Sequence, residues 1–281
     1  MNEIAAELKR WRQRGDTFAA VATVAATRFS APRPVGSKLF VSERGELAGS
    51  VSGGCVESEV ALVARDVLES GEPSLLTYGI SDEQAGAVGL PCGGEIDVEI
   101  ERVALAGYEL EPEESRTLLI FGAVDIAEAL CRAAKELGWR TIVCDPRPAF
   151  GTRERVPSAD ELLVEWPEEA LARVEPDAAT AIVVLTHEER LDVATLVGAL
   201  GTDAFYVGAI GSRRTQERRR ELLIAAGVPE DDLERVSGPT GLDIGAETPA
   251  ETAVSILAEI LAVKAGRSGR RLTEATGRIH A

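Results

Sequence analysis

Positive charge is scarce in this chain of 281 residues, in which 30 Lys and Arg face 47 Asp and Glu for a formal net charge of −17. Such a charge repels nucleic acid and anionic lipid, whose binding depends on clustered Lys and Arg. No apolar run approaches the roughly 18 residues of a membrane span, and the first residues lack the apolar core of a signal peptide. We therefore expect a cytoplasmic protein that binds neither nucleic acid nor a membrane.

Cysteine is also sparse, and its spacing does not match that of a secreted protein held together by disulfides. The four cysteines contain no CxxC pair, and they are Cys55, Cys92, Cys131 and Cys144. The length suits about two domains at roughly 150 residues each. In a chain this long, cysteines spaced in this way are typical of reduced thiols. Cys131 and Cys144 lie in an apolar helix stripe and a central strand, so we interpret them as core residues.

The chain changes character at the polar, acidic segment "GYELEPEESR", residues 107–116. We place a domain boundary there, with one domain over residues 1–110 and a second over 111–281. The first part combines a helical N-terminus, a hairpin and a strand of clean alternation in "EIDVEIERV". It therefore predicts a small α+β domain.

After the boundary, apolar strands alternate with helices, as in "TLLIFG", "RTIVCD" and "AIVVLTH". This alternation predicts a Rossmann-like α/β domain with a parallel sheet covered on both faces. The last helix should begin at Thr248, with Pro249 in its first position and Glu251 completing a capping box. Residues from about 266 to 281 lack an apolar stripe, and we expect them to form a mobile tail.

The turn "FGAVDIAEAL" follows the first of these strands and partly matches a dinucleotide fingerprint. Gly122 occupies the first glycine position, and Asp145, 23 residues later, would hold a ribose hydroxyl. Val124 replaces the glycine that lets a pyrophosphate approach the backbone. We expect weak NAD(P) binding or none, and we keep an NAD(P)-dependent oxidoreductase as the alternative function.

A second candidate turn opens "GAIGSRRTQERRR", after another strand. Gly211, Ser212, Arg213 and Arg214 would form an anion site at a helix N-terminus, where backbone N–H groups and guanidinium groups converge. Arg219 and Arg220 are expected on the solvated outer face of that helix. Arg147 and His187 also lie at strand ends, where open α/β sheets bind ligands.

Two cysteines flanked by glycines form the remaining motif, "SGGCVE" with Gly53, Gly54 and Cys55, and "LPCGG" with Cys92 and Gly93. Cys55 should lie at a helix N-terminus, whose dipole favours a thiolate suited to sulfur chemistry or metal contact. Glycines let a flat ligand approach the backbone. The alternative is two small buried cysteines beside tight turns. A zinc site with His187 is a weaker interpretation because no short ligand spacing supports it, and we assign no metal ligand.

Both halves of the chain resemble the XdhC/CoxI family. The motifs "GSKLFVSERGELAGSVSGGCVESEV" and "GLPCGGEIDVEIE" resemble its N-terminal half, and "VGAIGSRRTQERRRELLIAAGV" with "GPTGLDIGAETPAETAVSILAEILA" resembles its Rossmann half. The resemblance implies an accessory protein, more a chaperone than a catalyst. It would bind the molybdenum cofactor, assist its sulfuration and deliver it to a xanthine dehydrogenase-type molybdenum hydroxylase.

This resemblance also implies partners: the hydroxylase apoenzyme, a cysteine desulfurase or sulfurtransferase, and a second copy of the chain in a homo-oligomer. A pterin carrying a phosphate needs hydrogen-bond donors and positive charge, which the loop "TRFSAPRPVGSK" would supply through Arg33 and Lys38 together with Ser30, Gly36 and Ser37. We expect an interdomain cleft lined by this loop, the two cysteine turns and the arginine-bearing strand end. A merely solvated surface loop is the alternative for Arg33 and Lys38, and a pure interaction module is a third function class.

Overall fold

The computed structural model describes residues 2–29, 31–79, 94–110 and 116–275, which divide into two compact units. The N-terminal unit comprises Met1–Glu113 with Leu272–Ala281, and the C-terminal unit comprises Glu114–Arg271. The described part of the last segment contains a short 3-10 helix, Leu272–Glu274.

The N-terminal unit is a mixed α and β structure around an antiparallel sheet. Its strands follow the order β3-β2-β1-β5-β4. In chain order, its elements are α1 (Asn2–Gln13), β1 (Phe18–Arg28), β2 (Lys38–Ser42), β3 (Leu47–Gly49), α2 (Glu57–Ser70), β4 (Ser74–Tyr78) and β5 (Glu95–Ala104). The predicted hairpin is present as β2 and β3, which pair antiparallel.

Alternate residues of this sheet pack into two separate hydrophobic clusters, as the period of a strand requires. Ala20 and Val98 pack with the buried stripe of α2, including Val60. Val21 and its register partner Phe40 pack with Trp11 of α1. The sheet therefore carries one helix on each face, and the connection from β3 to α2 contains the first candidate site.

The C-terminal unit contains a six-stranded sheet in which every pair of neighbouring strands is parallel. Its strands follow the order β11-β10-β9-β6-β7-β8. They are β6 (Thr117–Phe121), β7 (Arg140–Cys144), β8 (Glu161–Leu163), β9 (Thr180–Val184), β10 (Tyr206–Ala209) and β11 (Val236–Ser237). Counted from β6, this is the Rossmann order 3-2-1-4-5-6, whose direction reverses between β6 and β9.

Helices cover both faces of the parallel sheet. They are α3 (Asp125–Glu136), α4 (Pro167–Val174), α5 (Glu189–Leu200), α6 (Arg213–Ala225), α7 (Glu230–Leu233) and α8 (Pro249–Lys264). Ile120 of β6 packs with Leu130 of α3 and Ile256 of α8, whereas Leu119 and Phe121 of the same strand belong to the cluster on the opposite face. The expected Rossmann-like α/β architecture is confirmed.

The start of α8 is confirmed in detail. Thr248 accepts a hydrogen bond from the Glu251 N–H at 3.2 Å, and the Glu251 carboxylate accepts from the Thr248 N–H at 2.9 Å. This is the predicted capping box, with Pro249 in the first helical position. The sequence did not reveal β8 and β11, whose three and two residues are too short to show a period.

Candidate functional site

The loop between β3 and α2 contains two consecutive glycines in a left-handed backbone conformation. Gly53 and Gly54 have φ values of 75° and 108°, in the left-handed region that favours glycine. A Cβ added at either position would meet no atom within 4 Å. The space over both glycines is therefore open, and a flat ligand could reach the backbone there.

A side chain of the protein itself occupies the inner side of this loop. The Glu57 carboxylate accepts hydrogen bonds from the N–H groups of Ser52 and Gly54, both at 2.9 Å. It also accepts from the Val51 and Val56 N–H groups at 3.2 Å, and from the hydroxyls of two serines, Ser50 and Ser52. Glu57 is the first residue of α2, where the helix dipole also favours negative charge.

The loop's other N–H groups donate to serine hydroxyls. Gly53 N–H donates to Ser50 Oγ at 2.7 Å, and Cys55 N–H donates to Ser52 Oγ at 2.9 Å. The N–H groups of Gly53 and Gly54 are therefore not free to bind a ligand. Glu57 and two serines satisfy them, because buried or half-buried donors are costly to leave without acceptors.

The environment of Glu57 strongly favours its charged form. Burial by itself raises the pKa of this carboxyl, but the hydrogen bonds from Ser50, Ser52 and the backbone outweigh it and lower the pKa to about 2. The loop therefore carries a fixed negative charge at neutral pH. The sequence signal that could have located it is an acid at the first position of a helix after a Ser- and Gly-rich loop.

Cys55 is half-buried and lies two residues before α2, whose N-cap is Val56. Cys131 and Cys144 are buried, and burial raises the pKa of each thiol to about 12. Their interpretation as core residues is confirmed. Cys92 and Gly93 lie outside the described residues, and so does Ser30.

The connection from β1 to β2 lies next to this loop in the N-terminal unit. Gly36 has a φ of 87°, and its N–H donates to the Val24 carbonyl at 2.8 Å. The Lys38 carbonyl accepts from the Ser50 N–H at 3.0 Å, which joins the two segments directly. Arg33 is exposed and Lys38 is half-buried. Their proposed role toward an anion stays a prediction.

In the C-terminal unit, the candidate residues lie where the parallel strands end. Gly122 follows β6 with a φ of 109°, and an added Cβ would come within 3.1 Å of the Thr186 side chain and backbone. The glycine therefore allows the ends of β6 and β9 to approach closely at the point where the strand order reverses. Val124 is the N-cap of α3 and packs half-buried against the core.

Asp145, at the end of β7, is fully buried and bonded within the unit. Its carboxylate accepts from the Ala123 N–H at 2.9 Å and from the Arg147 Nε and Nη2 atoms at 2.9 and 2.8 Å. Burial opposes its ionisation, but these donors outweigh burial and lower the pKa of Asp145. Arg147 thus occupies the oxygens that would bind a ribose, and the structure gives no support for NAD(P) binding.

Arg219 contradicts the expectation of a solvated helix face, because only 4 % of the residue is exposed. Its Nη2 atom lies 2.6 Å from Asp192 Oδ2 of α5, and its Nη1 atom donates to Gln216 Oε1 at 2.6 Å. Asp192 also accepts from the Thr186 hydroxyl. A polar network therefore holds α6 against β9 and α5. Arg220 is exposed, as expected.

The turn before α6 presents its arginines to solvent. Gly211 has a φ of 140°, and Ser212 caps α6 by accepting from the Thr215 N–H at 3.1 Å. Arg213 and Arg214 are exposed. Within the described part of the chain, their guanidinium groups have no hydrogen-bond or ion-pair partner, so they are available to an anion. His187 is exposed after β9.

Among residues 2–29, 31–79, 94–110 and 116–275, no group of three or more His, Cys, Asp or Glu side chains could hold a metal ion. Cys92, one ligand of the zinc alternative, lies outside these ranges. No helix in the same ranges is both long and apolar enough to cross a lipid bilayer.

Comparison with known protein families identifies both halves of the chain. A family model described as the XdhC Rossmann domain matches residues 118–260, about half of the chain. A second model, described as the XdhC and CoxI family, matches residues 11–79. The chain belongs to the XdhC/CoxI family. This confirms the resemblance carried by the cysteine and arginine motifs.

Three curated relatives of this XdhC/CoxI chain cover most of its length. "Molybdenum cofactor insertion chaperone PaoD" of Escherichia coli is 26% identical over 88% of this chain and 83% of its own. A probable xanthine dehydrogenase subunit of Bacillus subtilis is 26% identical over 86% of this chain and 92% of its own. "Uncharacterized protein YqeB" of Escherichia coli is 29% identical over 89% of this chain, which spans only 44% of that protein.

A solved structure shares the fold of this XdhC/CoxI chain. The crystal structure of a xanthine dehydrogenase from Bacillus halodurans superposes with a TM-score of 0.73 at 22% identity, and the match covers 97% of this chain and 98% of the other. At this identity the similarity establishes the fold, and the functional argument depends on the residues.

Proposed function

We propose that this protein binds the molybdenum cofactor, assists its sulfuration and delivers it to a xanthine dehydrogenase-type molybdenum hydroxylase. The observation that carries the proposal is the match, over 88% of this chain and 83% of the relative, to a protein named as a molybdenum cofactor insertion chaperone. Because this match spans both units, the proposal concerns the whole chain.

In the N-terminal unit, Cys55 is the proposed contact for sulfur or molybdenum. It is half-buried and follows two glycines over open space, so no side chain at those two positions obstructs a cofactor that approaches the loop. Every N–H group from Val51 to Val56 is already bonded to Glu57 or a serine. The loop therefore has no donors left for a phosphate, which favours the metal-bearing end of the cofactor here. Cys92 and Gly93 are a proposed second thiol contact.

The cofactor's phosphate needs cationic partners, and we propose two sets. Arg33 and Lys38, with Gly36 between them, lie in the segment bonded to the Cys55 loop. Arg213 and Arg214 are exposed at the start of α6, where Gly211 and Ser212 form the turn. Guanidinium groups form strong paired hydrogen bonds with phosphate oxygens. We infer that these residues bind the anionic end of the cofactor.

At the carboxyl edge of the parallel sheet, we assign different roles to the remaining candidates. Gly122, Asp145 and Arg147 shape the edge by close packing and an internal ion pair. His187 follows β9 and is exposed, so its side chain can contact a ligand directly. This distribution supports binding and transfer of a cofactor more than hydride chemistry.

The proposed partners are the hydroxylase apoenzyme, a cysteine desulfurase or sulfurtransferase that supplies sulfur, and a second copy of this chain. Cys55 must remain reduced to take part in sulfur transfer, so the proposed location is the cytoplasm, where thiols are kept reduced.

Cofactor capture is the direct test. The protein is produced with and without an active molybdenum cofactor pathway, purified and denatured under oxidising conditions, and the released pterin is measured by fluorescence. We expect pterin near one equivalent only when the pathway is active. Absence of pterin in both preparations, together with low-micromolar NAD(P)H binding by calorimetry, would contradict the proposal and support the oxidoreductase alternative.

A further inference from the structure

A cavity of about 270 Å³ opens between α5 and α6 in the C-terminal unit. Its lining includes Glu189, Asp192 and Val193 of α5, and Arg218, Arg219 and Leu222 of α6. It lies at the carboxyl edge of the parallel sheet, the edge at which such sheets bind ligands. It is slightly smaller than the roughly 300–1,000 Å³ typical of sites for drug-sized ligands, which suits one small ring system.

The buried Asp192–Arg219 pair gives this cavity a rigid, electrically balanced lining. The Asp192 side chain is 6 % exposed and that of Arg219 is 4 % exposed, with 2.6 Å between Oδ2 and Nη2. Arg219 also donates to the Ile210 carbonyl at 3.1 Å, so the two helices and the end of β10 are held together. A pocket with this lining favours a neutral ligand over a phosphate.

The other charged pair on the lining is loose. Arg218 Nε and Glu189 Oε2 are 3.5 Å apart, and both side chains are about 60 % exposed, at 59 % and 61 %. Arg218 Nη1 also donates to Glu221 Oε2 at 3.2 Å, in a pair that is likewise exposed to solvent. Such a pair contributes little stability, so a ligand can replace either partner at small cost. Glu189 then offers a carboxylate acceptor and Arg218 a guanidinium donor on opposite helices.

We propose that this cavity binds a ring with a 2-amino-4-oxopyrimidine edge, and that its occupant is the pterin ring of the molybdenum cofactor. The guanidine-like N–H groups of that edge would donate to Glu189, and its carbonyl oxygen would accept from Arg218. Val193 and Leu222 supply apolar contacts for the ring faces. His187 lies on the same lining.

The inference rests on the proposed function for the choice of pterin, because guanine has the same donor and acceptor edge. The ring chemistry itself follows from the cavity: a carboxylate and a guanidinium group on facing helices, with apolar sides and no net charge. Arg213 and Arg214 at the start of α6 would then take the phosphate of the same molecule.

The test is a fluorescence titration of the purified protein with 6-hydroxymethylpterin, with guanosine and lumazine in parallel. Lumazine has a carbonyl in place of the 2-amino group and cannot donate in the same way. We expect saturable pterin binding, at least about tenfold weaker lumazine binding, guanosine binding no tighter than that of pterin, and a loss of about tenfold or more in Glu189→Gln. Glu217→Gln, an exposed site on α6 outside the cavity lining, should bind as the wild type does.

Pterin binding that is equal in wild type and Glu189→Gln, or the absence of saturable binding, would overturn the assignment. Tighter binding of guanosine than of pterin would also overturn it. The cofactor-capture experiment, repeated with Glu189→Gln, separates this failure from that of the proposed function. If both wild type and variant retain full pterin, the protein is a cofactor carrier but this cavity is not the ring site.

Discussion

Two turns that precede helices, the loop before α2 and the turn before α3, each direct backbone N–H groups at a carboxylate of the same chain. In the loop before α2, the carboxylate belongs to Glu57, the first residue of that helix. Its hydrogen-bond donors are backbone N–H groups and serine hydroxyls. Before α3, it comes from Asp145, which accepts from Ala123 N–H and pairs with Arg147. The first turn keeps a net negative charge, whereas the second is neutral.

The glycines of the two turns also serve different purposes. Gly53 and Gly54 have open space where a Cβ would point, but Gly122 lies against Thr186 and Leu185. The same residue type therefore leaves room for a ligand in one unit and permits close strand packing in the other. A glycine motif indicates a site only when the space beyond it is open.

Among the variants that test this comparison, Arg147→Ala should cause the largest loss of stability. It leaves the buried Asp145 carboxylate without its cation, and we expect a loss of about 2–4 kcal/mol in the free energy of unfolding at pH 7. Because the pKa of Asp145 should rise in the variant, the loss should shrink as the pH falls and the carboxyl protonates. Urea unfolding at several pH values measures both effects.

Arg140→Ala is the control, since its ion pair with Glu161 has side chains that are 52% and 37% exposed. We expect it to cost less than about 1 kcal/mol. Equal losses from the two variants would mean that Arg147 does not compensate a buried charge.

The next largest loss of stability should distinguish Gly122 from Gly53. Gly122→Ala combines a φ of 109° with contacts at 3.1 Å, and we expect a loss of about 2–3 kcal/mol. Gly53→Ala has the backbone strain alone, at a φ of 75°, and should cost about 1–2 kcal/mol. Thermal unfolding of both variants measures the difference. A larger loss at Gly53 would reverse the comparison.

Glu57→Ala should cost about 1–3 kcal/mol at pH 7, because it leaves several N–H groups without their acceptor. The folded-state pKa of Glu57 is about 2, below its ordinary value of 4.5. Its stabilisation is therefore present above about pH 4.5 and is lost as the pH falls toward 2. Unfolding free energies of wild type and variant should converge over that window.

Glu69→Ala, an exposed residue of the same helix, is the matched control and should change stability by less than about 0.5 kcal/mol at any pH. A difference between wild type and Glu57→Ala that stays constant from pH 5 to pH 2 would contradict the role assigned to the carboxylate.

Arg213→Ala combined with Arg214→Ala should leave stability unchanged within about 0.5 kcal/mol, since both residues are exposed. Cofactor retention should weaken by about 1–3 kcal/mol for each charged hydrogen bond lost. Added salt should weaken the wild type in the same way. Arg220→Ala is the control, and equal weakening by it would indicate a diffuse field.

The smallest effect on stability is expected at Cys55. It should be alkylated before Cys131 and Cys144, which are buried, as pH-dependent labelling with mass spectrometry can measure. Cys55→Ser should fold normally but activate an apo-hydroxylase less well, and Cys92→Ser should be impaired to a similar or smaller degree. Normal activation by Cys55→Ser, with labelling of Cys55 no faster than that of Cys131, would make Cys55 an ordinary turn residue.

Local patterns in the sequence were sufficient for much of the fold. Strand alternation in β5, the apolar strands of the parallel sheet and the Thr248 capping box each depend on residues a few positions apart. The short strands β8 and β11 could not be recognised in this way, because they exist only through pairing with β7 and β10.

For the candidate site, the sequence located the turns but not the partners that fill them. Gly122, Asp145 and the turn at Gly211 lie at the carboxyl ends of strands, as their position after apolar runs indicated. Arg219 was misplaced because a helix rich in arginine normally faces water, and only Asp192, 27 residues earlier, changes that balance.

The sequence alone determined the two-part organisation, the start of α8 and the family motifs, because periodicity, capping and motif spacing are properties of neighbouring residues. Only the tertiary structure decided which donors and charges remain available. The Glu57 carboxylate accepts hydrogen bonds from the cysteine loop, Arg147 donates to the Asp145 carboxylate, and Arg219 is buried against Asp192. The energy of a charge depends on its burial and on partners brought near by folding, so its role cannot be determined from sequence position alone.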